Sequence, residues 1–333
     1  MVKTHPRSPS PEPKTSELKR LKIGHPSDTL TATAPAAPAP TSLTACFTSD
    51  LFSAAHISEL ATLYATSQPF KHALVEKLFQ DDLLQKVKDE CLGELHFTEK
   101  ETDIYKVSFL SFPSLAHLIP HLSFQVNQTG DLASLSYLTE KQVALLPNLI
   151  KLRDALYSLK FREFLRAVTG CGPLSGVKQD MSVNTYRKGC HLLNHDDVIG
   201  TRRVSYILYM PLPNYQLWQR EWGGALELYP VTENAHGVLE PEPIPVKSIP
   251  PAWNQFILFE VQPGRSFHSV EEVVVGDGED GWQRLSISGW FHAAQPGEDA
   301  YDGEVVETSV PSSREQLVSR HHSTNRLSSV RFL

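Results

Sequence analysis

From about residue 176 to residue 292 apolar and polar positions alternate in short runs cut by Gly, Pro and Asn, with no helical period of useful length. Four runs are rich in β-branched and aromatic residues: 204–210, 222–229 (opened by a Trp-Gly-Gly turn signal), 254–261 and 284–291. Such dense, short strands predict a sandwich or jelly roll. In the last run Arg284, Ser286, Ser288 and Trp290 share one face, and Leu285, Ile287 and Phe291 share the other. Residues 47–170 read as mostly helical, with one strand-like run over 70–79. Ile57, Leu60, Leu63 and Tyr64 fall on one helical face, and so do Leu83, Leu84, Val87 and Cys91 on a helix that Asp81 or Asp82 would cap. After Pro147 a longer pattern runs through Leu149, Leu152, Leu156, Leu159, Phe161, Phe164, Leu165 and Val168 until Gly170 stops it. These apolar faces are expected to pack against a sheet.

Residues 1–45 are rich in Pro, Ser, Thr and Ala and are expected to be disordered, with a polar tail over 296–333. That leaves one domain over 46–295, helical support over 46–170 and a β core over 171–295. Lys19-Arg-Leu-Lys22 reads equally as a nuclear localisation signal or as a solvated basic patch. The formal charge of -7 gives no global reason to expect nucleic-acid affinity, so any contact with RNA is expected to be indirect. Cys46, Cys91, Cys171 and Cys190 show no C-x-x-C spacing and read as reduced thiols. Lys3 and Arg7 are not followed by an apolar stretch, and no run approaches membrane-spanning length, so a cytoplasmic or nuclear location is expected.

The candidate chemistry lies in His195-Asp196-Asp197, His268 and Arg284-Leu285-Ser286. Two histidines and one carboxylate on one face of Fe(II) leave three positions open, two for a keto acid and one for O2. A nearby arginine can hold the far carboxylate of 2-oxoglutarate through two parallel hydrogen bonds that a lysine cannot reproduce. In an extended chain His195 and Asp197 share a side, which turns Asp196 away as a turn or surface carboxylate. His268 follows a Pro263-Gly264 turn and precedes the arginine strand, so metal ligation is favoured over a structural histidine. Ser286 can add a hydroxyl to the same carboxylate or serve structure alone. On pattern Tyr186 and Tyr209 read as core or interface residues, and His191, His236 and His292 as ordinary ones.

With these residues in place the sequence resembles the prolyl hydroxylase branch of the 2-oxoglutarate oxygenases, and within it the ribosomal prolyl 3-hydroxylases. The matching stretches are His-Asp-Asp at 195–197, Tyr-Ile-Leu-Tyr at 206–209, Trp-Gly-Gly-Ala-Leu-Glu-Leu-Tyr at 222–229 and Ile-Pro-Pro-Ala-Trp-Asn at 249–254. Phe-His-Ser-Val at 267–270 and the more specific Arg-Leu-Ser-Ile-Ser-Gly-Trp-Phe-His at 284–292 complete them, with a looser likeness at Pro69-Phe-Lys-His72. The resemblance implies an α+β, β-dominated fold, a double-stranded β-helix (jelly roll, cupin-like) with flanking N-terminal helices. It implies Fe(II) on His195, Asp197 and His268, 2-oxoglutarate on Arg284 with Tyr209 and Tyr186, O2 as co-substrate, and a place for ascorbate as accessory reductant. The implied reaction is hydroxylation at C3 of a prolyl residue in a small-subunit ribosomal protein, influencing translation accuracy and termination, with termination factors as further partners.

The gap from His268 to Arg284 is longer than usual for prolyl hydroxylases, and the Gly-rich turn at 276–281 is expected to absorb it as an extended hairpin. Relatives carry a second, metal-free β-helix domain where this sequence has a polar tail, so a fragment or truncated form is expected. Two rivals stand beside the main reading: an oxygenase with another protein or small-molecule substrate, and a non-catalytic scaffold of the same fold. Asp197 disfavours a halogenase, whose site opens a halide position by losing that carboxylate.

Overall fold

Ser53 opens the first helix, α1 (Ala54–Thr66), its hydroxyl accepting the His56 backbone N–H. The computed structural model describes residues 43–100, 126–214, 217–235, 237–275, 281–301 and 303. Lys19–Lys22, His236, and nearly all of both expected tails and of the turn at 276–281, lie outside that set. Leu60 and Tyr64 of α1 are buried, but Leu63 is 57% exposed, because one residue of a helix turns it about 100° from Tyr64. Helix α2 (Asp81–Glu94) buries Leu83, Leu84, Val87 and Cys91 as expected. Its cap is Gln80, without a side-chain bond, and not an aspartate. Asp81 and Asp82 sit in the first turn, where their charge meets the positive end of the helix dipole.

A short α3 (Glu140–Val143) opens with a Thr139–Gln142 capping box. The pattern after Pro147 forms two helices, α4 (Pro147–Leu156) and α5 (Leu159–Thr169), and not one. Ser158 restarts the helix by accepting the Phe161 N–H, and Gly170 ends it at φ 74°. All four cysteines are buried and free of disulfides.

Strands β1 (His72–Val75), β2 (Thr98–Lys100), β3 (Val126–Gln128), β4 (Leu174–Tyr186), β6 (Arg202–Tyr209), β11 (Phe256–Glu260) and β13 (Arg284–Ala293) build a seven-stranded sheet. Its order is β1-β11-β6-β13-β4-β3-β2. The pairs β2 and β3 correct the reading of 46–170, which allowed only one strand there. A four-stranded sheet runs β10 (Lys247–Ile249), β7 (Leu226–Leu228), β12 (His268–Val270), β5 (Leu192–His195), and β8 (Val231–Glu233) pairs with β9 (Leu239–Pro241). Every pairing is antiparallel.

Alternation along the strands gives the large sheet two apolar faces. Val183, Val204, Tyr206, Leu208, Leu258, Leu285, Ile287 and Phe291 share a core with the helices. Ile207, Tyr209, Ile257 and Phe259 pack instead against Leu226, Leu228 and Ile249 of the small sheet. Two facing antiparallel sheets with helices behind the larger one constitute a double-stranded β-helix. Asn254, at φ 63°, locks the loop before β11 to the turn before α2: its Oδ1 accepts the Leu78 and Phe79 N–H groups, and its Nδ2 donates to Phe79 O and Asp81.

Residues directly opposite across strands share a face, so two rows confront each other between the sheets. On the large sheet the row is His72, Phe259, Ser205, Trp290, Asp180. On the small sheet it is Lys247, Leu228, His268, His195. At one side the rows close through Lys247 Nζ, which donates to His72 Nε2 at 2.8 Å. At the other side the small sheet ends at β5, whereas the row on the large sheet runs one strand further, from Trp290 on β13 to Asp180 on β4.

Candidate active site

His195 ends β5 and His268 begins β12, and the two are direct cross-strand partners. Asp197 reaches the same point by a left-handed turn at φ 63°, so strand alternation is not what places it beside His195. A non-glycine residue in that region is strained and persists only where its surroundings hold it. Ser205 supplies one restraint, its Oγ donating to Asp197 Oδ2 at 2.8 Å. Each histidine bonds a backbone carbonyl through Nδ1, Leu193 O for His195 and Ser266 O for His268, both at 2.8 Å. A carbonyl only accepts, so both Nδ1 atoms are protonated and both Nε2 lone pairs are free for a cation.

These Nε2 atoms each lie 3.4 Å from an Asp197 oxygen, and the three ligand atoms fall within 4.8 Å of one another. Burial opposes charge on Asp197, yet the adjoining His268 and His195 hold its carboxyl well below the usual range. Burial likewise opposes charge on His195, and Asp197 more than offsets it, raising its pKa. A set of two imidazole nitrogens and one carboxylate, gathered on one side, fits Fe(II) with open positions. Phe259 backs it, its ring centroid 4.7 Å from that of His268.

Arg284 is 1% exposed, a buried cation that forms no ion pair with a described carboxylate. Its Nε donates to Gly224 O at 2.6 Å and its Nη2 to the Tyr209 hydroxyl at 3.1 Å. The guanidinium lies 4.7 Å from the Tyr186 ring and 4.9 Å from the Tyr209 ring. Two of its five N–H groups are thus engaged, and a bidentate carboxylate can take others. Burial raises the pKa of Tyr186 to about 12 and raises that of Tyr209, so both hydroxyls remain protonated at neutral pH. Tyr209 oxygen already accepts from Arg284, which leaves its proton for a ligand oxygen. Ser286 is buried on the same face, opposite Tyr209.

Gly224 holds the carbonyl that orients Arg284. At φ +73° an added Cβ would sit 3.0 Å from both Arg284 Cδ and Val273 Cγ2. Gly224→Ala is expected to weaken 2-oxoglutarate binding about tenfold, since both backbone strain and contact move the guanidinium. Isothermal titration with 2-oxoglutarate in the presence of Mn(II) checks it, and wild-type affinity would show that Arg284 is held by other means.

Asp196, expected as a turn or surface carboxylate, is a buried turn carboxylate. It accepts the Val198 and Gly264 N–H groups while its carbonyl accepts Ser266 Oγ, tying the ligand turn to the turn before His268. His191 is half-buried, with Nδ1 3.1 Å from Gly189 O, and stands outside the metal cluster. His292, left as ordinary, contacts Asp180 at 3.1 Å. Sequence reading passed over Ser205, Asp180 and Arg202. The parity of Ser205 with Tyr209 on one strand was the available signal for Ser205.

Residues 181–292 match the model of the 2OG-Fe(II) oxygenase superfamily, whose chemistry uses Fe(II), 2-oxoglutarate and O2. The chain is similar to the Prolyl 3,4-dihydroxylase OGFOD1 of Ostreococcus tauri, 43% identical over 233 residues that cover 68% of this chain and 38% of the relative. It is also similar to the Prolyl 3-hydroxylase OGFOD1 of Mus musculus, 35% identical over 225 residues, 67% of this chain and 33% of the relative. The aligned part therefore spans only about a third to two fifths of these relatives. Among solved structures, a prolyl hydroxylase from Trichoplax adhaerens in complex with a hypoxia inducible factor peptide fragment aligns over 71% of this chain and 88% of that one. Its TM-score is 0.45 and its identity 14%.

Proposed function

We propose that this chain is an Fe(II)- and 2-oxoglutarate-dependent prolyl hydroxylase that oxidises C3 of a prolyl residue in a small-subunit ribosomal protein, in the cytoplasm and nucleus. Through that mark, and through contact with termination factors, it influences translation accuracy and termination. The observation that carries the reading is a metal-ligand triad together with a buried Arg284 that pairs with no described carboxylate. Similarity to relatives named as prolyl hydroxylases supports the choice of substrate.

Bound Fe(II), with 2-oxoglutarate and O2, supplies the oxidising power for the substrate C–H bond while the keto acid becomes succinate and CO2. This chain's residues do the rest. Arg284 and the Tyr209 hydroxyl would grip the far carboxylate, and the Tyr186 ring would steady the guanidinium. Phe259 and the apolar layer of Ile207, Ile257 and Leu228 exclude water behind the site. Beside Ser205 the Arg202 guanidinium lies over the Trp290 ring, 3.4 Å from its centroid. Both are donors only, and a prolyl unit, lacking an N–H, offers its backbone only as an acceptor.

Mass spectrometry of small-subunit proteins from cells with and without the gene tests the assignment. The expected difference is one added oxygen on a single prolyl residue. Identical patterns would remove the ribosomal substrate, and an absence of succinate from iron-loaded protein supplied with small subunits would count against the hydroxylase reading itself.

A further inference from the structure

His292, at the end of β13, belongs to a relay whose proton positions follow from its partners. Thr201 Oγ1 lies 3.0 Å from Lys178 Nζ, 3.3 Å from Gln295 Nε2 and 3.0 Å from His292 Nδ1. The ammonium and the amide nitrogen can only donate, so they occupy the lone pairs of the hydroxyl and its proton goes to His292 Nδ1. His292 then carries its own proton on Nε2, 3.1 Å from Asp180 Oδ2. The angle there falls short of a hydrogen bond, and the attraction is chiefly electrostatic. His292 is the first of the influences that hold the Asp180 carboxyl below its ordinary range.

The same Asp180 oxygen faces Arg202 Nε at 3.6 Å, an ion pair too long for a hydrogen bond. The Arg202 guanidinium lies over the Trp290 ring, 3.4 Å from its centroid. Trp290 in turn stands opposite Ser205, the residue that donates to the metal ligand Asp197. The relay therefore ends at the row that carries Ser205, the partner of the candidate metal ligand Asp197.

We propose that Asp180 and His292 are positioning residues, a clamp that holds Arg202 flat on Trp290 and so fixes both side chains in the row beside Ser205, where the substrate would meet them. The substrate side of this inference rests on the prolyl hydroxylase reading above. Arg202 has a long, rotatable side chain, and the Asp180 carboxylate is what opposes its escape to solvent. Asp180 has a side chain 41% exposed, so the clamp can be opened without a cavity in the core.

Asp180→Asn, His292→Phe and His292→Gln, each in the full chain, test the clamp through the Trp290 indole N–H signal in 1H–15N spectra, assigned by its loss in Trp290→Phe. Asp180→Asn and His292→Phe are expected to move that signal, and His292→Gln, which keeps a donor toward Asp180, is expected to restore it. With purified small ribosomal subunits as substrate, the first two variants should raise the substrate KM about tenfold and leave the 2-oxoglutarate KM unchanged. An unmoved indole signal in both variants overturns the proposal, as does a moved signal with an unchanged substrate KM. If wild-type protein leaves small subunits unmodified, the substrate reading fails on its own, and the indole signals alone decide the clamp.

Discussion

Asp197→Ala and His268→Ala are each expected to strip the protein of bound iron: dialysed against micromolar Fe(II) without oxygen, either variant should retain less than about a hundredth of the wild-type affinity. Each loses one of three protein ligands, and the Nε2 and carboxylate positions described here have no replacement among the described residues. Asp197→Ala has a second consequence. It removes the carboxylate that separates two imidazoles whose ring centroids are 4.2 Å apart, so the metal-free variant no longer favours a charge on His195. Metal content by mass spectrometry and circular dichroism on the same samples separate lost ligation from lost fold. Retention of iron at wild-type stoichiometry in both variants would move the centre elsewhere.

Arg284→Lys is expected to cost about 2 to 4 kcal/mol of 2-oxoglutarate binding, roughly thirtyfold to a thousandfold, with iron affinity little changed. An ammonium can provide charge, but it cannot keep the Nε bond to Gly224 and present two parallel N–H groups from between two tyrosine rings. Titration of 2-oxoglutarate against the Mn(II)-loaded variant measures the loss. Unchanged affinity would assign the carboxylate to another cation. The aromatic walls make the second outcome physically costly, because an unpaired cation buried this deeply needs an anion to offset its desolvation.

The strands that carry chemistry were legible because alternation on a half-buried strand is a local signal: Arg284, Ser286, Ser288 and Trp290 on one face of β13 stand where the period of two puts them. Helix faces were legible for the same reason, although Leu63 shows how a single residue of rotation escapes a count of apolar positions. What failed were features set by distant partners. Ser158 breaks α4 from α5 with a hydroxyl that an apolar period ignores, and β2 and β3 are three-residue strands that exist because β4 offers an edge. Asp197 lies beside His195 for a reason that alternation does not contain, since its left-handed φ depends on Ser205 and on the turn that Asp196 anchors. The Asp180–His292–Arg202 contacts join three different segments of chain, and no spacing in the sequence announces them.

The two facing rows between the sheets also set where this molecule can change length. Apart from Asp197, which its turn places, the side chains that would meet the metal or back it are fixed by counting residues along β5, β6, β11, β12 and β13, so one inserted residue within those strands reverses the face of everything beyond it. Between β12 and β13 no such count applies to the described residues, because 271–275 and 281–283 enter no named strand of either sheet. Insertions and deletions in this architecture are therefore expected to accumulate between His268 and the arginine strand, where added residues leave the register of the two rows untouched.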